Sequence, residues 1–164
     1  MFMYEKELSQ LADAGAKYLV IGAVALGLHG YVRATTDLDI FPELTSENLD
    51  KIIKTLTALG YASRVPVNPE ELKNSKKRAE WYTEKGMKVF TFIDPKDPMN
   101  TVDLMIYPPI SFADSFNKRK IVNINGREVS AASIDDLLAM KKSAMRDKDL
   151  DDIRVLEFMS GSKI

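Results

Sequence analysis

The chain has 164 residues, of which 45% are apolar and 29% charged, a composition typical of a folded domain and not of a disordered chain. Its 23 basic and 24 acidic residues nearly cancel, so no overall field indicates a nucleic-acid or membrane partner. Cysteine is absent and His29 is the single histidine, which excludes disulfides, a cysteine nucleophile and a zinc site of several imidazoles. We therefore expect a single domain over residues 1–164.

The segment from Tyr4 to Gly15 predicts an amphipathic helix. Leu8 and Leu11 follow Tyr4 at helical spacing, and Gly15 is a stop signal. Because acidic residues interrupt the apolar pattern, we expect neither a signal peptide nor a membrane anchor, and a cytoplasmic location follows as the default expectation.

The stretch over residues 18–42 reads YLVIGAVALGLHGYVRATTDLDIFP and predicts a strand, a tight turn, a short helix and a second strand. Gly22 permits the turn because it lacks a Cβ, and Gly30 ends the helix. Pro42 closes the second strand, since proline lacks the amide hydrogen that a ladder needs.

The second strand of this stretch, over residues 36–41, carries two carboxylates. Side chains two residues apart on a strand share a face, so Asp37 and Asp39 emerge together. Leu38 and Ile40 alternate with them and are expected to face the core.

The middle of the chain predicts one regular helix and several shorter elements. Thr45 or Ser46 caps a helix whose apolar stripe ends at Gly60. The patterns that follow predict a strand over residues 61–67, helical turns over 70–85, a strand over 87–93 and a turn formed by Asp94, Pro95, Asp97 and Pro98.

A further strand, over residues 101–107, carries a third carboxylate. Val102, Leu104 and Ile106 occupy one face, and Asp103 lies on the other. A short helix over 111–117 and a hairpin over 121–129 with Asn125 and Gly126 at its turn follow.

Two helices end the sequence. The first begins near Ser133, and its inner stripe is predicted to comprise Ile134, Leu137, Leu138, Lys141 and Met145. The second follows Asp149, with Leu150, Ile153 and Leu156 expected to face inward.

Two aspartates on one strand face and a third on another strand are hard oxygen ligands, which suit Mg²⁺ or Mn²⁺. Such ions hold triphosphate oxygens and, in pairs, activate an attacking oxygen and stabilise a leaving one. The glycine turn at Gly22 adds backbone amides where phosphates bind. Together these features point to phosphoryl chemistry on a nucleotide.

These residues resemble a known family. Gly22 and Ala23 followed by the run Asp37 to Asp39 look like the signature of nucleotidyltransferases related to DNA polymerase beta, and Asp103 matches the third family carboxylate. The fuller run, with His29, Gly30, Arg33 and Thr35, is similar to the minimal bacterial members of abortive-infection and toxin-antitoxin systems. The C-terminal segment is also similar to that subgroup, through Lys141, Arg146, Asp149 and Asp152.

The resemblance implies an α+β fold, with a mixed β-sheet flanked by helices, a polymerase beta palm-like arrangement and two C-terminal helices. It also implies transfer of a nucleoside monophosphate from an NTP to a hydroxyl, with release of pyrophosphate. The acceptor hydroxyl belongs to a protein, an RNA or a small molecule. Association with a partner protein and formation of a homodimer are both compatible with the resemblance. No membrane partner is expected.

By the same resemblance, each site residue has an expected role. Two divalent ions bind to Asp37, Asp39 and Asp103, and Asp103 also promotes deprotonation of the acceptor hydroxyl. The triphosphate is held by Gly22 and the Ala23 amide, and Lys141 or Arg33 neutralises charge that develops on phosphate.

Ala23 is a departure from the family pattern, because many active relatives have serine or a second glycine there. Alanine retains the backbone amide but loses the hydroxyl. The alternative function is therefore a catalytically silent member of the fold that binds a nucleotide or a partner, for example in a toxin-antitoxin pair. A glycosyltransferase that uses the DLD run for a nucleotide sugar is a more distant alternative, since it needs a larger nucleotide-binding domain.

Several candidate residues also have a purely structural interpretation. Lys141 either contacts phosphate or extends from the helix edge into solvent, and the sequence does not separate the two. For Arg146, Asp149 and Asp152 we favour an ion-paired corner between the last two helices. For His29 we favour a helix-end residue that satisfies backbone carbonyls over a general base.

Overall fold

The computed structural model describes residues 3–161, so residues 1–2 and 162–164 of the expected single domain lie outside the described part. The described chain forms a seven-stranded sheet with α-helices and two short 3-10 helices. The strands are β1 Tyr18–Ile21, β2 Asp37–Pro42, β3 Ala62–Ser63, β4 Val89–Asp94, β5 Asp97–Met105, β6 Lys120–Ile124 and β7 Arg127–Ala131. The α-helices are α1 Glu5–Asp13, α2 Gly22–Leu28, α3 Ser46–Ala58, α4 Ser75–Lys85, α5 Phe112–Asn117, α6 Ile134–Ala144 and α7 Leu150–Met159, and the 3-10 helices are Pro69–Lys73 and Asp147–Asp149.

The sheet is mixed, with strand order β3-β4-β5-β2-β1-β7-β6. At its centre, β2 pairs antiparallel with β1 and parallel with β5. The two hairpins, β4–β5 and β6–β7, extend the sheet on opposite sides of this centre. This arrangement confirms the expected α+β class with a mixed sheet flanked by helices.

The core lies where the alternating strands and the amphipathic helices meet. Leu38 and Ile40 on β2, and Val102 and Leu104 on β5, are fully buried, as the alternation predicts. The side chains of Asp37, Asp39 and Asp103 therefore lie on the opposite face of the same strands.

Local signals explain most helix boundaries. The Thr45 hydroxyl accepts a hydrogen bond from the Asn48 amide at the start of α3, and the Ser133 hydroxyl accepts one from the Asp136 amide at the start of α6. Asn125 and Gly126 both have positive φ in the β6–β7 turn, as expected for a two-residue hairpin loop.

Four predictions about individual elements are wrong. The strand expected over residues 61–67 is limited to β3. The Tyr61 amide still bonds to the Leu56 carbonyl at the end of α3, and the chain turns after Ser63, whose hydroxyl donates to the Val65 carbonyl oxygen. Asp97 and Pro98 lie in β5 and not in the preceding turn.

The remaining two errors concern the C-terminal helices. Met145 is 86% exposed, since α6 ends at Ala144 and Met145 adopts the left-handed conformation with φ 50°. Leu150 is 51% exposed and does not face inward. None of the helices over residues 3–161 is long and apolar enough to cross a bilayer.

Candidate active site

The three predicted carboxylates lie on adjacent strands at the centre of the sheet. In the parallel pairing of β2 with β5, Asp39 is the register partner of Asp103, and Asp37 is the partner of Thr101. All three aspartates line one cleft of about 780 Å³. The structure therefore brings together the residues that the sequence assigned to a single site.

Threonine hydroxyls hold two of these carboxylates. Thr101 Oγ1 donates to Asp37 Oδ1 over 2.8 Å, and Thr36 Oγ1 donates to the same oxygen over 3.2 Å. Thr91 Oγ1, on β4, donates to Asp103 Oδ1 over 2.6 Å. One oxygen of each carboxylate is thus fixed by a neighbour on the sheet.

The carboxylates repel one another. Burial raises the pKa of Asp39 to about 6, and the negative charges of Asp103 and Asp37 add to the increase. Burial also raises the pKa of Asp103, although the hydrogen bond from Thr91 opposes it. Such a cluster of buried acids is typical of a functional site, because it costs stability without a compensating cation.

Gly22 lies directly against Asp39. A Cβ built on Gly22 would meet Asp39 Oδ2 at 2.3 Å, and Gly22 has φ +65°, a conformation that side chains with a Cβ rarely adopt. β1 ends at Ile21, opposite Asp39 in the antiparallel pairing, so α2 begins beside this carboxylate. Glycine is required here both by the backbone conformation and by the close approach.

A cationic cluster formed by Arg33, Lys141 and Arg146 lies along the same cleft. Lys141 Nζ lies 3.0 Å from both Asp149 Oδ1 and Asp152 Oδ2. Arg33 Nη2 donates to Asp152 Oδ2 over 2.9 Å, and Arg146 Nε donates to Asp149 Oδ2 over 2.7 Å. Three cations share the carboxylates of Asp149 and Asp152, so this cluster carries a net positive charge and lies beside Asp37, Asp39 and Asp103.

The ion pairs fix the position of the Lys141 side chain, which the sequence left open. Its side chain is 11% exposed and doubly paired, so it does not extend freely into solvent. Burial is the main cause of the raised pKa of Asp39, and the positive charges of Lys141 and Arg146 partly oppose the increase. The cationic cluster therefore lies close to the acidic triad of Asp37, Asp39 and Asp103. The predicted ion-paired corner is confirmed, and it also includes Lys141 and, across the fold, Arg33.

His29 is not part of the triad. It caps the C-terminus of α2, and its Nε2 donates to the Ala132 carbonyl oxygen over 2.8 Å. This bond joins α2 to the segment between β7 and α6. The structural interpretation of His29 is therefore confirmed.

Tyrosines form another part of the cleft wall. The rings of Tyr82 on α4 and Tyr107 beyond β5 stack with centroids 3.6 Å apart and planes inclined by 4°. Both line the cleft, together with Met105, Pro108 and Pro109. No function was predicted for either ring from the sequence.

The residues fit hard divalent ions by donor type and charge. Carboxylate oxygens are the ligands that Mg²⁺ or Mn²⁺ prefers, and Asp39 and Asp103 occupy adjacent positions on β2 and β5. Over residues 3–161, no three or more His, Cys, Asp or Glu side chains are arranged as a metal site. The carboxylates are instead oriented by the threonines described above.

The three aspartates and the cations were predicted from the sequence, but the residues that hold them in position were not. Thr91 and Thr101 gave no signal, because strand register decides which hydroxyl lies beside which carboxylate. The pairing of Arg33 with Asp152 was also not predictable from the sequence, because 119 residues separate the two. The tyrosine stack required the packing of α4 on the sheet.

Comparison with protein families places the chain among nucleotide-transferring enzymes. Residues 1–161 match the sequence family of nucleotidyltransferases of unknown function (DUF6036). A comparison with curated proteins found no match.

Known structures of similar fold include three nucleotidyltransferase-related proteins. The lincosamide antibiotic adenylyltransferase LnuA is 13% identical, with a TM-score of 0.61, and the match covers 96% of this chain and 97% of LnuA. ANT(2″)-Ia in complex with adenylyl-2″-tobramycin is 13% identical, with a TM-score of 0.62 and coverage of 98% and 91%. An antigenic nucleotidyltransferase-like protein from Paracoccidioides brasiliensis is 19% identical, with a TM-score of 0.54 and coverage of 93% and 74%. At these identities the likeness establishes the fold, as the sequence resemblance implied.

Proposed function

Because this chain belongs to the nucleotidyltransferase family of unknown function (DUF6036), we propose that it moves a nucleoside monophosphate from an NTP to a hydroxyl of an acceptor in a reaction that depends on Mg²⁺ or Mn²⁺. The observation that carries the proposal is the pairing of Asp39 with Asp103 across β2 and β5, with Asp37 on the same face. The antibiotic adenylyltransferases of similar fold support transfer to a small-molecule hydroxyl.

In the proposed reaction, the acceptor hydroxyl oxygen forms a bond to the α-phosphorus of the NTP. The bond from that phosphorus to the oxygen bridging to the β-phosphate breaks, and pyrophosphate leaves with the electron pair. The hydroxyl proton passes to Asp103. Divalent ions held by Asp37, Asp39 and Asp103 would supply charge stabilisation for the attacking and leaving oxygens.

Asp103 is suited to the role of proton acceptor. Its Oδ1 is occupied by the Thr91 hydroxyl, which fixes the carboxyl group and leaves Oδ2 for an acceptor.

The cationic cluster is suited to the triphosphate. Lys141 and Arg146 line the same cleft as Asp39, and a negative triphosphate would meet the net positive charge of the cluster. The ion pairs to Asp149 and Asp152 hold these cations in place, so little reorganisation is needed when charge develops on the leaving pyrophosphate. The Gly22 and Ala23 amides adjoin the same region of the cleft.

The proposal is tested by incubating the purified protein with NTPs labelled at the α-phosphate, Mg²⁺ or Mn²⁺, and a cell extract that contains candidate acceptors. We expect label to transfer to an acceptor, and no transfer from NTPs labelled at the γ-phosphate or in the presence of EDTA. Nucleotide binding with a persistent lack of transfer would instead support the silent alternative that Ala23 raises.

A further inference from the structure

The stacked tyrosines form a flat apolar surface that the proposed chemistry leaves without a role. One face of Tyr107 is covered by Tyr82, yet Tyr107 is 44% exposed and lines the cleft. The backbone fixes its position, because the Tyr107 amide donates to the Lys88 carbonyl oxygen over 3.2 Å and prolines follow at 108 and 109. An exposed aromatic surface that is rigidly held in a polar cleft is suited to binding a ring.

The sheet order separates this surface from the cations. Tyr107 follows β5 and Tyr82 lies on α4, which precedes β4, so the tyrosines belong to the β4–β5 side of the cleft. Lys141 lies on α6, which follows β7 at the other side of the sheet centre. The carboxylates of β2 and β5 stand between the two sides.

The geometry of in-line displacement indicates that the triphosphate and the acceptor bind on opposite sides of the carboxylates. The attacking oxygen approaches the α-phosphorus from the side opposite to the leaving pyrophosphate. If the cations hold the triphosphate, the acceptor enters from the β4–β5 side, where Asp103 and Met105 lie on one face of β5 and Tyr107 follows just beyond the end of that strand. We propose, on the basis of the function proposed above, that Tyr82 and Tyr107 bind an acceptor that carries a neutral ring with a flat face next to its reactive hydroxyl.

Charge further restricts the acceptor. Among the described residues that line the cleft, the carboxylates are Asp37, Asp39, Asp103 and Asp149. Asp149 is already paired with Lys141 and Arg146, and the triad faces the ions and the phosphates. Lys88 adds a positive charge beside the tyrosines. An acceptor with several ammonium groups would be repelled by Lys88 and would find no free carboxylate among the described cleft residues on this side. The acceptor class is therefore a neutral compound with an aryl or glycosyl ring.

The test measures binding of a neutral ring probe, 4-nitrophenyl β-D-glucopyranoside, by NMR titration in the presence of Mg²⁺ and a non-hydrolysable α,β-methylene NTP analogue. We expect the wild-type protein to bind it, and Tyr107→Ala to weaken binding by about fivefold or more, since one stacking contact is lost. Tyr107→Phe keeps the ring and should keep the affinity within about twofold. Phe158→Ala removes a 72% exposed ring of α7 and is the matched control.

The inference would be overturned by equal binding of the probe to wild type and Tyr107→Ala, or by tighter binding of the polycationic probe kanamycin than of the glucoside. It would also be overturned by loss of nucleotide affinity in Tyr107→Ala with glucoside affinity retained. The last would assign the tyrosines to the nucleotide base. Absence of glucoside binding by a wild-type protein that binds the nucleotide would also overturn it and leave the proposed function intact. Failure of the wild type to bind the nucleotide analogue at all would instead count against the proposed function. Thermal melting of each variant shows whether it is folded.

Discussion

Gly22 and Asp39 approach so closely that the glycine has no room for a Cβ, which would fall 2.3 Å from the Asp39 Oδ2 atom. The contact joins the start of α2 to the carboxylate at the centre of the sheet. It explains why the turn before α2 and the DLD run on β2 occur together in the sequence. The separation of the two residues along the chain is bridged by the antiparallel pairing of β1 with β2.

We predict that Gly22→Ala destabilises the protein by about 2 kcal/mol or more, because it combines a strained positive φ with a clash against Asp39. Gly27→Ala in the same helix is the control, since a Cβ there meets nothing within 4 Å. Alanine favours a helix interior, so this control should be neutral or stabilising by up to about 1 kcal/mol. Urea denaturation measures both, and equal effects of the two substitutions would contradict the account.

Lys141→Met is predicted to weaken both folding and nucleotide binding. The substitution leaves buried Asp149 and Asp152 with one arginine partner each, which we expect to cost about 1–3 kcal/mol. Lys142→Met removes an ion pair with Glu157 in which both side chains are about half exposed, so its effect should stay within about 0.5 kcal/mol. Denaturation and equilibrium binding of Mg²⁺-NTP are the measurements, and an NTP affinity unchanged by Lys141→Met would exclude its role beside the phosphates.

The ion-paired corner predicts a defined pH dependence. Burial by itself raises the pKa of Asp149, but hydrogen bonds from Arg146 and Lys141 outweigh burial and hold that pKa below its ordinary value. Stability from this group is therefore fully present above about pH 4, its unfolded value, and is lost as pH falls through the lower folded value. Arg146→Gln should raise the folded pKa, so that acid destabilisation begins at a higher pH. Urea unfolding from pH 7 to pH 3 tests this, and identical profiles would show that Arg146 contributes nothing to Asp149.

His29→Phe is predicted to affect stability and not chemistry. The variant leaves the Ala132 carbonyl oxygen without its donor, at a cost of about 1 kcal/mol. Transfer measured below the melting temperature should retain its rate and pH profile. A large loss of rate with unchanged stability would show that His29 acts in the reaction after all.

The centre of the fold was predictable because its signals are local. The apolar run at Tyr18–Ile21, the glycine at 22 and the alternation around Asp37 and Asp39 each specify their own structure, and the hydrophobic faces leave one register for β2. The triad was therefore accessible from spacing alone once Asp103 was recognised on a second strand.

The remainder depends on contacts between distant segments. The end of α6 could not be read from its apolar pattern, because the turn after Met145 is held by Arg146 and Asp149. The role of Thr91 follows from the register of β4 with β5, in which it lies opposite Asp103. The buried position of Tyr61 likewise depends on its hydrogen bond to Glu7 on α1, which no local pattern encodes.

The central claim, that the aspartates of β2 and β5 form a metal-dependent transfer site, is tested most directly by Asp39→Asn. The variant removes a charge from a repulsive cluster and should stay folded, as thermal melting would verify. Asp135→Asn, on the exposed side of α6, is the control. With α-labelled NTP, Mg²⁺ or Mn²⁺ and an acceptor-containing extract, we predict transfer by the wild type and by Asp135→Asn, and transfer reduced by at least about 100-fold in Asp39→Asn. Full transfer by a folded Asp39→Asn protein would contradict the account.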